Sequence, residues 1–259
     1  MPSQAEFQGA RRLGGTKRSG VADEAISRIS EMIERGTLGP GERLPRESDL
    51  AAQLGLSRSS LREAIRALTV VGALEARQGA GTYVTSLSPQ LLLRSIRLAT
   101  QLLPVEMAAD LFEVRRILEP RITALAAARM APAELEALDA DLARIAAAAE
   151  RGDVEELTIA DSEFHSTIAR SVGNTFLSAL QDSLAVSTLR TLIWQMSVES
   201  GPDAMRGRVL AHERIRNAIA GRDPGLAQAA SEAHLAVGEA WLRTATRFRG
   251  DASQWSAWL

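Results

Sequence analysis

The stretch LSRSSLREAIRAL, Leu56–Leu68, decides how the first third of the chain folds. Ser57 is a helix-capping residue type, able to accept a hydrogen bond from a first-turn N–H. Arg58, Arg62 and Arg66 follow at four-residue spacing, so three guanidiniums share one face of the predicted helix. Like charges at that spacing repel and weaken an isolated helix. Leu61, Ala64, Ile65 and Leu68 form a separate apolar face. One face suits a core and the other suits a polyanion.

The flanking sequence supplies the rest of a domain. Gly55 suits a left-handed turn between two helices. The helix before it follows Pro45 and turns Leu50, Ala51 and Leu54 inward. Further upstream, an apolar stripe of Ala25, Ile26, Ile29, Met32 and Ile33 runs from Val21 to a stop at Gly36. TLGPGERLP, residues 37–45, reads as a turn-rich connector. Downstream, Gly72 ends the third helix. Two β-type runs, Ala73–Arg77 and Thr82–Thr85, then flank Gly79-Ala80-Gly81 as a hairpin. Residues 21–86 are therefore expected to form a winged helix-turn-helix. Residues 1–20 are polar and carry Arg11, Arg12, Lys17 and Arg18; they read as a disordered basic arm.

A chain of 259 residues that is 46% hydrophobic can bury two modest cores. It has no cysteine, which excludes disulfides and thiolate metal sites. No apolar run approaches the roughly 20 residues of a membrane helix, and the N-terminus lacks an apolar signal core. A cytoplasmic protein with no membrane partner is expected. Residues 1–86 hold 12 basic and 10 acidic side chains, against 18 and 22 in the remainder.

SLSPQ, residues 86–90, marks a boundary, and residues 87–101 read as a linker and first helix. Helices are expected near 90–103, 105–130, 133–151, 153–172, 175–197, 203–220 and 223–248. Pro104, Pro132, Gly152, Gly173-Asn174, Gly201-Pro202 and Gly221 separate them. The fold class is thus mainly α: an N-terminal winged helix-turn-helix and a C-terminal antiparallel all-α bundle. The bundle is placed at 102–250, as an effector-binding and dimerisation domain, with a tail at 251–259.

The arginine stripe matches a recognition helix in a major groove. Arginine donates two hydrogen bonds to guanine O6 and N7. Ser57, Ser59 and Ser60 can bond phosphates or base edges, Arg43 and Arg46 would meet the backbone, and Gly79–Gly81 would form the wing tip. The expected partner is double-stranded DNA.

The chain has three histidines, His165, His212 and His234, all in the second half. Each falls on the predicted inward face of its helix. Asp161 and His165 are four apart on the stripe Val154, Leu157, Phe164, Ile168 and Val172. His212 lies between Val209 and Ile215, and His234 shares a face with Ala230, Val237 and Trp241. A buried carboxylate needs a partner, and a divalent cation supplies one. Imidazoles with a carboxylate suit zinc, nickel, iron or manganese. Such ligands bind as neutral imidazoles, so affinity is expected to fall as pH drops through about 6.5. Arg115 shares an inward stripe with Leu111, Leu118 and Ile122. It is read either as a partner for an effector carboxylate or as a snorkelling arginine in a surface salt bridge.

Arg43–Val84 resembles the DNA-binding domain of the GntR family of bacterial transcription regulators. The LPRE start, the SRSSLREA run and the GAGTYV wing carry the likeness. It implies DNA contacts at Arg46, Arg58, Ser59 and Arg62, with Gly79 at the wing. Ser48 departs from the arginine common there. LFEVRRILEP, DSEFHSTIARSVGN, AHERIRNAI and AHL resemble the ligand-sensing domain of the FadR branch, over roughly Leu102–Arg249. That resemblance implies a divalent metal on Asp161, His165, His212 and His234, zinc first, with nickel or manganese as alternatives. It also implies a small carboxylate effector on the metal, and a homodimer on a short inverted-repeat operator, more often as repressor than activator. Two other readings remain: a metal-dependent enzyme, and an architectural DNA-binding protein without effector. The metal cluster uses every histidine and leaves none as a general base, so no enzyme activity is expected.

Overall fold

The computed structural model describes residues 16–102, 107–185 and 187–247. Packing divides the chain into two units, Met1–Leu92 and Leu93–Leu259, each with its own core. Residues 1–15 of the arm expected at 1–20, with Arg11 and Arg12, and the tail at 251–259 lie outside the described residues.

The first unit comprises α1 (Thr16–Glu34), α2 (Glu47–Leu54), α3 (Arg58–Val70), the antiparallel pair β1 (Leu74–Arg77) and β2 (Gly81–Val84), and one helical turn, α4 (Pro89–Leu92). Helix α1 begins at Thr16 rather than Val21, so the expected arm is shorter by five residues. Once the apolar stripe has nucleated a helix, extension through residues 16–20, which hold no proline, costs little. Ala25 and Ile29 of α1 join Leu50, Leu61, Ala64 and Leu68 in one buried cluster. Complete burial of a leucine such as Leu61 contributes about 1.5–3 kcal/mol.

Gly55 closes α2 in the left-handed conformation, φ 65°. Ser57 caps α3 by accepting a hydrogen bond from the N–H of Ser60 at 3.1 Å. The hairpin register pairs Leu74 with Val84 and Arg77 with Gly81. The connector 37–45 is more than a turn. Leu44 N donates to Thr82 O at 2.8 Å and Val84 N to Glu42 O at 2.9 Å, which bridges Arg43 to Tyr83 on the free side of β2. No apolar alternation marks this contact because a single residue pairs. Gly72, after α3, has φ 79°, and a Cβ there would stand 2.4 Å from the Leu91 carbonyl oxygen.

The second unit is all helical: α5 (Arg94–Gln101), α6 (Ala108–Arg129), α7 (Pro132–Arg151), α8 (Val154–Ser171), α9 (Thr175–Leu184), α10 (Ser187–Glu199), α11 (Pro202–Ala220) and α12 (Pro224–Arg247). Its main core gathers residues such as Ile122, Leu138, Ile145, Leu157, Phe164 and Ile215. A smaller cluster joins Leu111, Phe112, Leu184, Ile193 and Leu235.

Two expected helices are divided. The 90–103 helix breaks at Leu93, and the 175–197 helix breaks after Leu184, at Ala185. Neither break carries glycine or proline. Side-chain hydrogen bonds link the two broken segments. Thr100 Oγ1 donates to Ser183 O at 2.7 Å, taking a carbonyl that a continued helix would use, and Ser183 Oγ donates to Leu93 O at 3.3 Å. Residues 94–101, expected as linker and first helix, therefore pack on α9 within the second unit.

Candidate metal centre and nucleic-acid surface

On the first unit, Arg58, Arg62 and Arg66 all stand exposed along α3, opposite the buried Leu61, Ala64 and Leu68. Arg62 Nε donates to Glu47 Oε2 of α2 at 2.6 Å, so one member of the stripe is paired within the chain. Among the serines, Ser57 is exposed but serves as the cap. Ser60 is nearly buried, with its hydroxyl 2.9 Å from that of Ser57. Ser59 is exposed, 2.9 Å from the same cap hydroxyl. Arg46 and Arg43 are exposed at the entry to α2, and Gly79 is exposed at the hairpin turn. Ser48, in the departing position, donates to its neighbour Asp49 at 2.9 Å.

In the second unit, three helices converge on one buried cluster. Asp161 and His165 stand one turn apart on α8, His212 comes from α11 and His234 from α12, and none is more than 6% exposed. One donor atom from each lies within 4.8 Å of the others. Asp153 starts α8 by accepting from Glu156 N at 3.1 Å, and Leu157, Phe164 and Ile168 anchor the same face. The α12 face differs from expectation. Ala227, Ser231, His234, Leu235 and Gly238 are the inward residues, whereas Val237 is 43% exposed and the Trp241 side chain lies outside the described residues. A helix carries about 100° per residue, and the stripe at 227, 231, 234 and 238 fits that period without Val237.

Hydrogen bonding fixes how His212 presents itself. Its Nδ1 lies 2.9 Å from the carbonyl oxygen of Arg208. A carbonyl only accepts, so Nδ1 carries the hydrogen and Nε2 holds a lone pair. Nε2 lies 2.8 Å from Asp161 Oδ1, a second acceptor. A proton does not fill this gap at neutral pH. Burial pushes the His212 imidazole down to about 3, with the carbonyl bond opposing and the Arg208 and Arg190 charges adding to the fall. Burial likewise pushes His165 down to about 3 against the pull of Glu119, and His234 well below its ordinary value. The expected loss of ligand basicity near pH 6.5 is thus displaced downward. His165 Nε2 is buried without a hydrogen-bond partner. Opposed lone pairs and an unsatisfied buried imidazole are costly. One carboxylate and three neutral imidazoles can hold a divalent cation.

Four charged side chains surround the cluster. Arg115 and Glu119, one turn apart on α6, form a buried pair, with Nε donating to Oε1 at 2.6 Å. Burial raises the Glu119 carboxyl, but Arg115 beside it, with His165 and Arg190, outweighs this and holds it at about 2. Glu119 Oε2 has no hydrogen-bond partner and lies 3.8 Å from His165 Nδ1. Arg190 Nη1 of α10 pairs with Asp161 Oδ2. Burial and then Arg115 push Arg190 down to about 9 and Arg208 to about 10, so both stay cationic at neutral pH.

Arg115 was legible in the sequence as an inward arginine. Glu119, Arg190 and Arg208 were not singled out. The four-residue spacing of Arg115 to Glu119, and of Arg208 to His212, was the available signal. Arg190 had none, because the division of its helix after Leu184 was also invisible. A small cavity of about 20 Å³ opens among Arg115, Asp161, Arg190, Arg208 and His234.

Comparison with known proteins bears on both units. Residues 21–84 match the family described as bacterial regulatory proteins, gntR family, and residues 110–237 match the FCD domain. The HTH-type transcriptional regulator LutR of Bacillus subtilis is 34% identical over 79% of this chain and 93% of its own length. The putative L-lactate dehydrogenase operon regulatory protein of Escherichia coli is 29% identical over 83% of each chain. The galactonate operon transcriptional repressor of Escherichia coli is 25% identical over 86% of this chain and 97% of its own. Among solved structures, Streptococcus agalactiae GntR superposes with a TM-score of 0.59 at 30% identity, covering 84% of this chain and 98% of that one. Among the described residues, no helix is long and apolar enough to cross a membrane.

Proposed function

The chain belongs to the gntR family of bacterial transcription regulators, with an FCD domain as its second unit, and from that premise we propose that it is a metal-dependent, carboxylate-responsive repressor. The observation that carries the reading is the His212 Nε2 and Asp161 Oδ1 pair, two lone pairs facing each other at 2.8 Å inside a buried group of four donors. Asp161, His165, His212 and His234 would hold the metal, with zinc first and nickel or manganese as alternatives. Bound there, a divalent cation supplies coordination positions for an anionic oxygen. The protein's own residues do the rest. The Arg208 carbonyl holds the His212 ring in one tautomer, and Glu119 Oε2 stands beside His165 Nδ1 to do the same for that ring. Arg190 and Arg208, with Arg115 beside them, present cationic walls to the carboxylate.

On DNA, α3 enters the major groove. Arg58 and Arg62 read bases, Ser59 and Arg46 contact the duplex at the helix entry, the Ser57–Ser60 cap orients first-turn N–H groups, and Gly79 lets the wing approach closely. A homodimer binds an inverted repeat whose symmetry mirrors its own. The effector weakens operator binding by favouring a dimer arrangement that no longer matches the half-site spacing, with a reciprocal coupling of about 1–3 kcal/mol. Relatives named for an L-lactate dehydrogenase operon and a galactonate operon support a carboxylate signal.

The test is metal analysis of untagged protein with operator titrations against a carboxylate panel, with and without chelator. At least a tenth of an equivalent of metal, and an effector response lost on chelation and in His212→Ala with DNA binding kept, are expected. A response that survives both changes refutes the sensing mechanism.

A further inference from the structure

A second cavity of the helical unit lies apart from the metal donors. It is a surface groove of about 740 Å³, within the roughly 300–1,000 Å³ of small-molecule sites. Ala146, Ala149 and Glu150 of α7 form one bank, and Met205, Val209 and Glu213 of α11 form the other. Helix α11 serves two sites from two faces. Arg208 and His212 turn toward the buried cluster, whereas Arg206, Leu210 and Glu213, at helical spacing, share the groove face.

The floor of the groove is apolar. Met205 is buried, and Ala149 and Val209 pack against the main core. Above the floor, Leu210 is 44% exposed and Val198 36% exposed. Apolar surface gathered in one place and rimmed by polar groups marks a binding site.

The rim fixes the sign of the partner. Glu150 is exposed and Glu213 half-buried, and neither has an ion pair or a side-chain hydrogen bond among the described residues. Arg206, the cation of the lining, is already paired with Asp203. Helix ends leave this balance unchanged, because α7 stops at Gly152 and α11 starts at Pro202, with opposite partial charges. A fatty carboxylate would set its head against like charges. A sugar or a nucleobase would meet no hydroxyl, amide or imidazole side chain among the described lining residues. No aromatic ring is among them either, so a quaternary ammonium would gain no cation–π contact. A primary ammonium donates charge-assisted hydrogen bonds to carboxylates directly.

We propose that this groove binds a primary amine with an apolar body, its ammonium on the Glu150 and Glu213 rim and its hydrocarbon over Met205, Val209 and Leu210. The site is separate from the buried donors and does not rest on the carboxylate-responsive reading.

The experiment is a calorimetric titration of the full-length chain at pH 7 with probes of one chain length: octylamine, octyltrimethylammonium, octan-1-ol and octanoate. Octylamine should bind at least about tenfold tighter than octanol, a difference of about 1.4 kcal/mol. It should also bind tighter than octyltrimethylammonium, with octanoate weakest. In the double variant Glu150→Gln, Glu213→Gln, octylamine should fall to within about threefold of octanol, whose own affinity should barely move. Ala146→Phe, which fills the groove, should abolish octylamine binding, the fold being checked by thermal melting. If that variant fails to fold, the rim variant, changed only at the surface, decides. Octanol as tight as octylamine, or octylamine binding unchanged in the rim variant, overturns the amine assignment. Octanoate as the tightest ligand, or no binding by any probe at about 1 mM, overturns the site itself.

Discussion

Replacing Glu119 by Gln removes a buried negative charge with almost no change in shape, and its cost follows from the site. Glu119 is 3% exposed and Arg115 beside it 4% exposed, so solvent screens neither. The glutamate is held at about 2 in the fold, below the 4.5 of a free glutamate side chain. At 1.36 kcal/mol per unit, its ionised form contributes about 3 kcal/mol at neutral pH. Breaking a buried pair by removing one partner costs a similar amount, about 3–5 kcal/mol. Trp194 is buried in the second unit, and residues 1–92 hold no tryptophan, so tryptophan fluorescence does not report on the first unit. In chelator at pH 7, Glu119→Gln should lower the second unit's melting temperature by about 6–12 °C, taking about 2–4 °C per kcal/mol for a domain of this size. The pH dependence gives an independent check. A carboxyl depressed in the fold stabilises fully above its unfolded value and loses that contribution as pH falls toward about 2. The wild type should therefore lose stability between about pH 4.5 and 2 through this group, and the variant should lack that component. Arg115→Met in the Glu119→Gln background should recover much of the loss. A variant that melts within about 1 °C of wild type would refute the buried-charge argument.

Three further outcomes are expected. His165 and His212 are depressed to about 3 in the fold, so in the metal-free chain their contribution is full above about pH 6.5 and is lost as pH falls from there toward 3. A divalent cation on the proposed ligands should accordingly stay bound from pH 7 to about 5, and dialysis at pH 5.5 that strips it would show ordinary imidazoles instead. Arg58→Ala should weaken operator binding by about 1–3 kcal/mol and non-specific DNA less; equal losses on both, in a fluorescence anisotropy titration, would make Arg58 a backbone contact. Gly72→Ala combines a positive φ with a 2.4 Å approach to the Leu91 carbonyl. It should destabilise the first unit by more than the about 1 kcal/mol of conformational strain alone, as measured by hydrogen exchange in α3.

The first unit was nearly complete in the sequence because its signals are local. A cap at Ser57, a turn glycine at Gly55 and an apolar face at Leu61, Ala64 and Leu68 need no distant partner to be recognised. The bridge from Arg43 to Tyr83 depends on a pairing across the unit, and only the structure reveals it. In the second unit, the convergence of Asp161 and three histidines followed from helical periodicity. Its charged surroundings did not. Arg190 reaches the cluster from α10, a helix separate from α9, whose Ser183 carbonyl accepts from Thr100 Oγ1. A tertiary hydrogen bond of that kind has no signature in residue type. Val237 shows the opposite failure, an apolar residue at nearly the right phase that faces solvent.

The pairing of Arg62 with Glu47 has a consequence for how the protein finds its site among unrelated sequence. An exposed pair of this kind is worth only about 0.2–1 kcal/mol, so a guanine that offers two acceptors can break it readily. A passing phosphate meets an arginine whose charge is already neutralised by Glu47. Along random DNA the helix then behaves as though it carried one cation fewer, which weakens loose association and makes it less sensitive to salt. In the proposed operator complex the arginine would change partner and leave Glu47 to solvent. An acidic residue on the DNA-facing surface therefore favours discrimination by trimming the affinity the chain has for every sequence except its own.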